Sequence, residues 1–427
     1  MGPVLFVSFI VLMLLNIPLA IVLGLSSVIA LVTSSNIPIA VVAQRLFTAS
    51  DSFPLMAIPF FILAGTLMEG GGISSRLINL ANKMVGNVTG GLGLVAVLAC
   101  MFFGAISGSG VATVAAVGAM MIPAMVKAGY DKSFAAAICT ASGSIGVIFP
   151  PSIPMVTFGV VGGVSIGTLF LGGFGAGIIF GLTMMVVVYV ISKKRGYKGS
   201  SEKFSIKEVL KAAADAFWAI LMPFIIMGGI YGGIFTPTEA AAVAVAYGLI
   251  IGFFVYKELK LKDLPRIFIN TASSTAVVML IVATATLFAW LLTNMRIPDA
   301  IGNAILSASS NKYVVLLMIN FVLLFIGLFM EQNAAILILA PIFLPLVVKL
   351  GVDPVFFGVV MVVNLGIGMW TPPVGVSVFV TIGLCDTTLE KITKALMPFL
   401  IAAIVALLVI TFVPGISMFI PNMLMNK

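Results

Sequence analysis

Two short stretches of this chain set hydroxyl, amide and carboxyl groups inside otherwise apolar sequence. The first is Gly104-Ala105-Ile106-Ser107-Gly108-Ser109-Gly110-Val111-Ala112-Thr113. Its small residues let backbones approach closely, and its hydroxyl oxygens suit a hard cation or hydrogen bonds to an acidic solute. The same residues would also serve as a packing face, since small residues recur where membrane helices meet. The second stretch is Met330-Glu331-Gln332-Asn333-Ala334. A carboxyl group within a membrane segment is costly and marks function by default, unless it sits solvated at the interface.

A third feature is a pair of double prolines, Phe149-Pro150-Pro151-Ser152 and Thr371-Pro372-Pro373-Val374. Tandem prolines remove two N–H donors and free carbonyls one turn earlier. Lipid cannot satisfy those carbonyls, so they are expected to be buried in protein or to line a cavity, where a sodium ion is a natural partner. Thr140, Ser142, Gly143 and Ser144 precede the first break, and Asn364, Gly366 and Gly368 precede the second. They suit a helix that unwinds in mid-membrane, or helix–helix hydrogen bonding.

Two isolated charges complete the set. Glu239, in Thr236-Pro237-Thr238-Glu239, reads as the first turn of a helix with Thr236 as N-cap, and capping accounts for it fully. Arg296 follows an apolar run and is free to pair with Glu239, to meet a solute carboxylate, or to reach the interface.

The elements that hold these groups come in two sets. Shifting the first half by 222 positions aligns Pro123, Val126, Lys127, Gly129, Asp131 and Phe134 with Pro345, Val348, Lys349, Gly351, Asp353 and Phe356. The same shift aligns Ile145, Gly146, Pro150 and Pro151 with Ile367, Gly368, Pro372 and Pro373. Chance would give about two or three such identities over this span. Interruptions at matching places in two repeats point to a carrier's binding site, and the expected arrangement is an inverted repeat. Residues 1–192 form the first membrane repeat, with a re-entrant hairpin over about 104–129 and a broken helix over about 131–165. Residues 193–216 form a basic linker and amphipathic helix. Residues 217–427 form the second repeat, with a hairpin over about 330–351 and a broken helix over about 354–384.

Composition places the whole in lipid. Of 427 residues 61% are hydrophobic and 8% charged, against roughly 25% charged in soluble proteins. Val4–Leu31, Leu169–Ile191, Pro237–Tyr256, Tyr313–Met330 and Leu396–Ile420 approach the length of about 20 residues that crosses a bilayer. The first of them reads as a membrane helix rather than a cleaved leader, and no ten-residue alternation suggests a barrel. The net charge of +8 comes from loops beside these runs, Lys193–Lys211 and Lys257–Arg266. Basic loops mark the cytoplasmic face, with Trp218–Gly233 and Thr238–Tyr256 as a two-helix excursion between them, rather than a nucleic-acid surface. Ile73–Val85, Ile206–Phe217 and Ile297–Ser309 are amphipathic and are expected to lie in the interface. With no histidine and only Cys100, Cys139 and Cys385, His-based enzyme and metal chemistry is excluded and the thiols read as small buried hydrophobes.

Taken together, Gly108 to Gly118, Ile145 to Ser152, Thr236 to Ala241 and Gly327 to Glu331 resemble the large membrane subunit of the tripartite ATP-independent periplasmic (TRAP) transporters, over nearly the whole chain. The resemblance implies an all-α, polytopic, elevator-type fold in the bacterial inner membrane, with inverted repeats and two re-entrant hairpins. It implies sodium-driven import of a carboxylated solute of the C4-dicarboxylate or sialic acid type, with a small four-helix membrane subunit and a periplasmic solute-binding protein as partners. By position, Ser107, Ser109, Gly143, Ser144 and Pro150 would form one Na⁺ site, and Gly327, Gly366 and Thr371 would contribute to another. No cofactor beyond the coupling ion is expected. Ser107, Ser109, Ser152, Arg296 and Asn333 are candidates to meet the solute, with Glu239 and Glu331 in coupling or structural roles. A stand-alone Na⁺- or H⁺-coupled anion carrier shares the repeat plan and differs in needing no binding protein. A channel would show a repeated filter motif, which the sequence lacks.

Overall fold

The computed structural model describes the chain except for residues 35–36, 201–203, 373–374, 386 and 426–427. The expected features at Ser201, Lys203, Pro373 and Val374 lie outside the described residues. Everything described is helix, turn or loop. Seven helices are long and apolar enough to cross a membrane, and nine spans result if each of two bent pairs counts as one.

The repeated residues build matching local structure. In each half a helix of 18 residues ends in a lysine, Gly110–Lys127 and Gln332–Lys349. A cation there complements the partial negative charge of the helix end. The chain then passes through a left-handed glycine, Gly129 at φ 89° and Gly351 at φ 74°, a conformation that costs a residue with a Cβ more. An aspartate follows and caps the next helix. Asp131 accepts the Phe134 N–H at 2.9 Å, and Asp353 accepts those of Val355 and Phe356 at 2.8 and 3.1 Å. This Lys-x-Gly-x-Asp unit makes the tight reversal between hairpin and broken helix.

The hairpins differ from expectation in extent. The first is Gly91–Ser107 followed by Gly110–Lys127, and the second is Lys312–Gly327 followed by Gln332–Lys349. Each turn therefore falls near the start of the expected segment, and one arm comes from the apolar run before it. The first broken helix is Lys132–Gly143, Ile145–Ile148 and then Ile153–Gly162, with a 40° bend at the double proline. The second is Pro354–Gly368 and Val376–Leu384, separated at the Thr371-Pro372 region.

Two expected spans are themselves broken. Val4–Leu31 divides into Gly2–Leu14 and Leu19–Ser34, because Asn16 takes a left-handed φ of 59° just before Pro18. Leu396–Ile420 divides at Pro414, between Leu389–Phe412 and Gly415–Met425, since proline cannot extend the helix hydrogen bonding.

The basic end is tied by charge. The amphipathic helix Ile73–Val85 packs against a second, Ile206–Asp215. Arg76 joins them to the loop after Pro237–Ile250, lying 2.6 Å from Glu258 Oε1 and 3.7 Å from Asp215 Oδ1. Its guanidinium also sits 3.9 Å from the centre of the Tyr256 ring. Lys83 pairs with Glu208 at 3.3 Å. The amphipathic helices are thus pinned to the scaffold by polar contacts as well as by their apolar faces.

Candidate functional site

Ser109 is the N-cap of Gly110–Lys127. Its extended backbone, at φ −130° and ψ 125°, turns the chain into the helix, and its Oγ accepts the Ala112 N–H at 3.4 Å. The preceding Gly108 closes the other arm at φ 62°. Only a residue without a Cβ fits there, because a Cβ on Gly108 would lie 2.8 Å from the Pro151 carbonyl oxygen. Around this tip the hydroxyls interlock. Thr113 Oγ donates to the Ser109 carbonyl at 2.7 Å and lies 3.1 Å from Ser107 Oγ.

The tip lies close against the first broken helix. The Gly108 carbonyl accepts the Ile153 N–H at 3.1 Å. Cβ atoms on Gly104 and Gly146 would meet backbone at 2.8 Å, the second at the Ser109 carbonyl oxygen. A Cβ on Gly110 would stand 3.4 Å from the Gly143 carbonyl oxygen. The Ser109 carbonyl thus stands close to Gly146 and the Gly143 carbonyl close to Gly110. The Ser109 carbonyl already accepts the Thr113 N–H and hydroxyl at 3.0 and 2.7 Å. Neutral oxygens of this kind are what a hard cation prefers. Ser144 Oγ donates to the Ala141 carbonyl at 2.7 Å, and Ser152 Oγ to that of Val147 at 2.5 Å. Both hydroxyls are fully buried and keep lone pairs to offer. Pro150 is buried beside them, behind the tip.

Glu331 takes the corresponding place in the second half. It caps Gln332–Lys349, and its Oε2 accepts the Ala334 N–H at 3.0 Å. Its Oε1 accepts from Asn333 Nδ2 at 2.8 Å, and Asn333 Oδ1 in turn accepts from Thr157 Oγ at 3.0 Å. Gln332 is buried and donates to the Val362 carbonyl at 3.0 Å. Gly327 touches the second broken helix directly, since a Cβ on Gly368 would lie 2.8 Å from the Gly327 carbonyl oxygen. Gly366 is packed on Val147, and Thr371 Oγ donates to the Ile367 carbonyl at 2.7 Å.

Both tips open on one cleft of about 550 Å³. Ser107, Gly108, Ser109 and Gly110 line it from one side, and Glu331, Gln332 and Asn333 from the other. Val147, Ile153 and Met369 form apolar parts of its wall. Glu69, at the end of Ala57–Gly70, and Ser273 and Ser274, on the long helix Leu264–Asn294, complete its rim. Of the candidates from sequence, the structure brings Ser107, Ser109, Glu331 and Asn333 into this cleft. Ser152 lies just behind it, in the break that precedes Ile153.

Arg296 and Glu239 are placed elsewhere. Arg296 is exposed, has a left-handed φ of 54°, and starts the amphipathic helix Ile297–Ala308 away from the cleft. Glu239 is spent locally, accepting the Thr236 N–H and hydroxyl, each at 2.8 Å. Among the described residues no ion pair joins these two charges, and Arg296 does not line this cleft. Thr157 and Glu69 were missed in the sequence. Each is one polar residue in an apolar run, with nothing local to mark its partner.

The sequence comparisons decide the family. The family model described as tripartite ATP-independent periplasmic transporter, DctM component, matches residues 6–416. This chain belongs to the DctM family. Among its relatives is the isethionate TRAP transporter permease protein DctMQ of Oleidesulfovibrio alaskensis, 49% identical over 98% of this chain, which spans 66% of that longer protein. The C4-dicarboxylate TRAP transporter large permease protein DctM of Pseudomonas aeruginosa is 42% identical, with 94% of each chain covered. The sialic acid TRAP transporter large permease protein SiaM of Vibrio cholerae is 39% identical over 93% of this chain and 92% of its own length.

Solved structures agree on fold alone. The YdaH transporter of Alcanivorax borkumensis superposes with a TM-score of 0.63 at 16% identity, covering 95% of this chain and 97% of its own. MtrF of Neisseria gonorrhoeae, described as illuminating a class of antimetabolite efflux pumps, superposes at 0.62 with 14% identity, over 90% and 85% of the two chains. As a DctM-family member the protein is a multi-pass TRAP large permease.

Proposed function

We propose that this permease imports a small organic acid across the bacterial inner membrane, driven by Na⁺, with the solute delivered by a periplasmic binding protein. One observation carries the reading. Two helix N-termini from repeat-related positions, Ser109 and Glu331, converge on a single cleft that joins the two halves.

Helix N-termini with freed backbone groups favour an anionic solute, while the neighbouring carbonyls favour a cation. In this reading Ser107, Ser109, Gly143, Ser144 and Pro150 hold one Na⁺ by hydroxyl and carbonyl oxygens. Gly327, Gly366 and Thr371 hold another at the second tip. The solute bridges the tips through Ser107, Ser109 and Asn333, with Ser152 behind them. The hairpins and broken helices move together as the carrying unit of an elevator, and the two halves are related as inverted repeats. The outer helices and the ion-paired amphipathic helices stay in place. The solute class is that of the relatives, an isethionate-, C4-dicarboxylate- or sialic-acid-type anion. The unmatched third of the DctMQ relative supports a small membrane subunit as partner.

The test is uptake into proteoliposomes containing this chain and its small subunit, with an imposed Na⁺ gradient, with and without the binding protein. Isethionate, succinate and N-acetylneuraminate are the solutes to screen. Uptake that needs both Na⁺ and the binding protein is the expected result. Uptake without the binding protein would replace the reading with a conventional secondary carrier.

A further inference from the structure

The two tips are connected through one short helix that is hydrogen-bonded to each of them, with the single Thr157 hydroxyl proton shared between the Ile153 carbonyl and Asn333 Oδ1. The Gly108 carbonyl accepts the Ile153 N–H at 3.1 Å. The Ile153 carbonyl lies 3.2 Å from Thr157 Oγ, whose hydroxyl reaches Asn333 Oδ1 at 3.0 Å. Asn333 Nδ2 then donates to Glu331 Oε1 at 2.8 Å. Ile153–Gly162 is thus bonded to the first tip at one end and to the second tip one turn later.

Thr157 is fully exposed to neither water nor lipid. Its side chain is completely buried, between the completely buried Val156 and Phe158. Valine would fill the same space, and a buried hydroxyl costs free energy unless its bonds are made. The bond that it makes beyond its own helix is the one to Asn333. That bond also fixes the Asn333 amide. With a hydroxyl on its oxygen side and a carboxylate on its nitrogen side, the opposite orientation would set oxygen against the Glu331 carboxylate.

We propose that Thr157 is a positioning residue that couples cation occupancy at the Ser109 tip to the geometry of the Glu331 tip, through the helix Ile153–Gly162. A cation drawn to the Ser109 and Gly143 carbonyls fixes the first tip and, with it, Ile153. The short helix carries that constraint one turn to Thr157, which holds Asn333 and so the carboxylate that caps Gln332–Lys349. Cation and solute sites then favour each other, as a coupling free energy between sites requires. The inference rests on the Na⁺-coupled reading above.

Hydrogen–deuterium exchange tests it with Na⁺ alone as the probe and K⁺ at equal ionic strength as the blank. The sample is the full chain with its small membrane subunit in lipid nanodiscs, read at peptides covering 105–113 and 329–336. Wild type is expected to show Na⁺-specific protection at both tips. Thr157→Val should lower the Na⁺-induced protection factor at 329–336 by about three- to tenfold, the scale of one lost buried hydrogen bond, while 105–113 keeps its Na⁺-specific protection. Thr157→Ser should restore the wild-type response. Asn333→Ala, which cuts the same line at its other end, should reproduce the split should the valine variant not fold. Unchanged Na⁺-induced protection at 329–336 in the valine variant, or a serine variant as impaired as valine, overturns the coupling. Absence of Na⁺-specific protection at 105–113 in wild type overturns the Na⁺ reading itself.

Discussion

Ser109 and Glu331 stand 222 positions apart and perform the same task, each accepting the N–H of the alanine three residues on, Ala112 and Ala334. One does so with a neutral hydroxyl and the other with a carboxylate. The two caps therefore offer different chemistry from equivalent places, and substitutions at them should separate.

Ser109→Ala removes a long cap bond of 3.4 Å, so the stability cost should stay near the low end of the usual range for caps, about 0.5–1 kcal/mol. Transport should suffer more than stability. The half-saturating Na⁺ concentration for uptake is expected to rise at least about fivefold, the low end of site-to-site coupling. Uptake indifferent to this change, at any Na⁺ concentration, would remove the Ser109 hydroxyl from the cation site and leave only its carbonyl there.

Glu331→Gln keeps the size and shape of the side chain but supplies one acceptor oxygen for two donors, Asn333 Nδ2 and the Ala334 N–H. One donor is left facing an NH₂ group, at a cost of about 1–3 kcal/mol, which a thermal melt of the purified protein should register. Uptake should remain Na⁺-driven with a weaker apparent affinity for solute. Were protons the coupling ion at this position, the same variant would instead lose its response to an imposed pH gradient while keeping solute binding.

The close backbone contacts predict a sharp contrast among glycines. A methyl on Gly146 would press on Thr113 Oγ and stand 2.8 Å from the Ser109 carbonyl oxygen, whereas a methyl on Gly383 would meet nothing within 4 Å. Gly146→Ala is expected to cost about 1–3 kcal/mol by overpacking and to abolish Na⁺-dependent uptake by moving the Ser109 carbonyl. Gly383→Ala should melt at or above the wild-type temperature and transport normally. Equal effects from the two would mean that the tip does not depend on close approach.

How much of this was legible in the sequence follows from how local each signal is. The Lys-x-Gly-x-Asp unit is visible because each residue does its work within a turn of itself, and the repeat doubles the signal. The tips were found because Ser109 and Glu331 interrupt apolar sequence. The hairpin arms were misplaced because Gly91–Phe103 is apolar without a break and gives no sign of where the first arm begins. Asn16 was missed as a breaker because one asparagine before proline looks like a kink rather than a turn. The bond from Thr157 to Asn333 joins residues 176 positions apart, and no pattern within either segment announces it. Arg296 shows the opposite limit, since a lone base after an apolar run looks purposeful whether or not it lines the cleft.

The final prediction concerns the two charges that the fold sets aside. Glu239 already accepts twice from Thr236, and Arg296 is exposed at the start of a surface helix outside the cleft. On the proposed reading, a charge that caps its own helix and a charge outside the cleft do not hold the solute there. Arg296→Ala and Glu239→Gln should therefore leave the half-saturating concentrations of solute and of Na⁺ within about twofold of wild type, the scale of ordinary surface substitutions. The pair should also be additive, because no bond joins the two side chains. Both constants are read from the same uptake assay in proteoliposomes. A large loss of solute affinity in Arg296→Ala would mean that this arginine reaches the solute at another stage of the transport cycle. The cleft between the Ser109 and Glu331 tips would then be only part of the binding site.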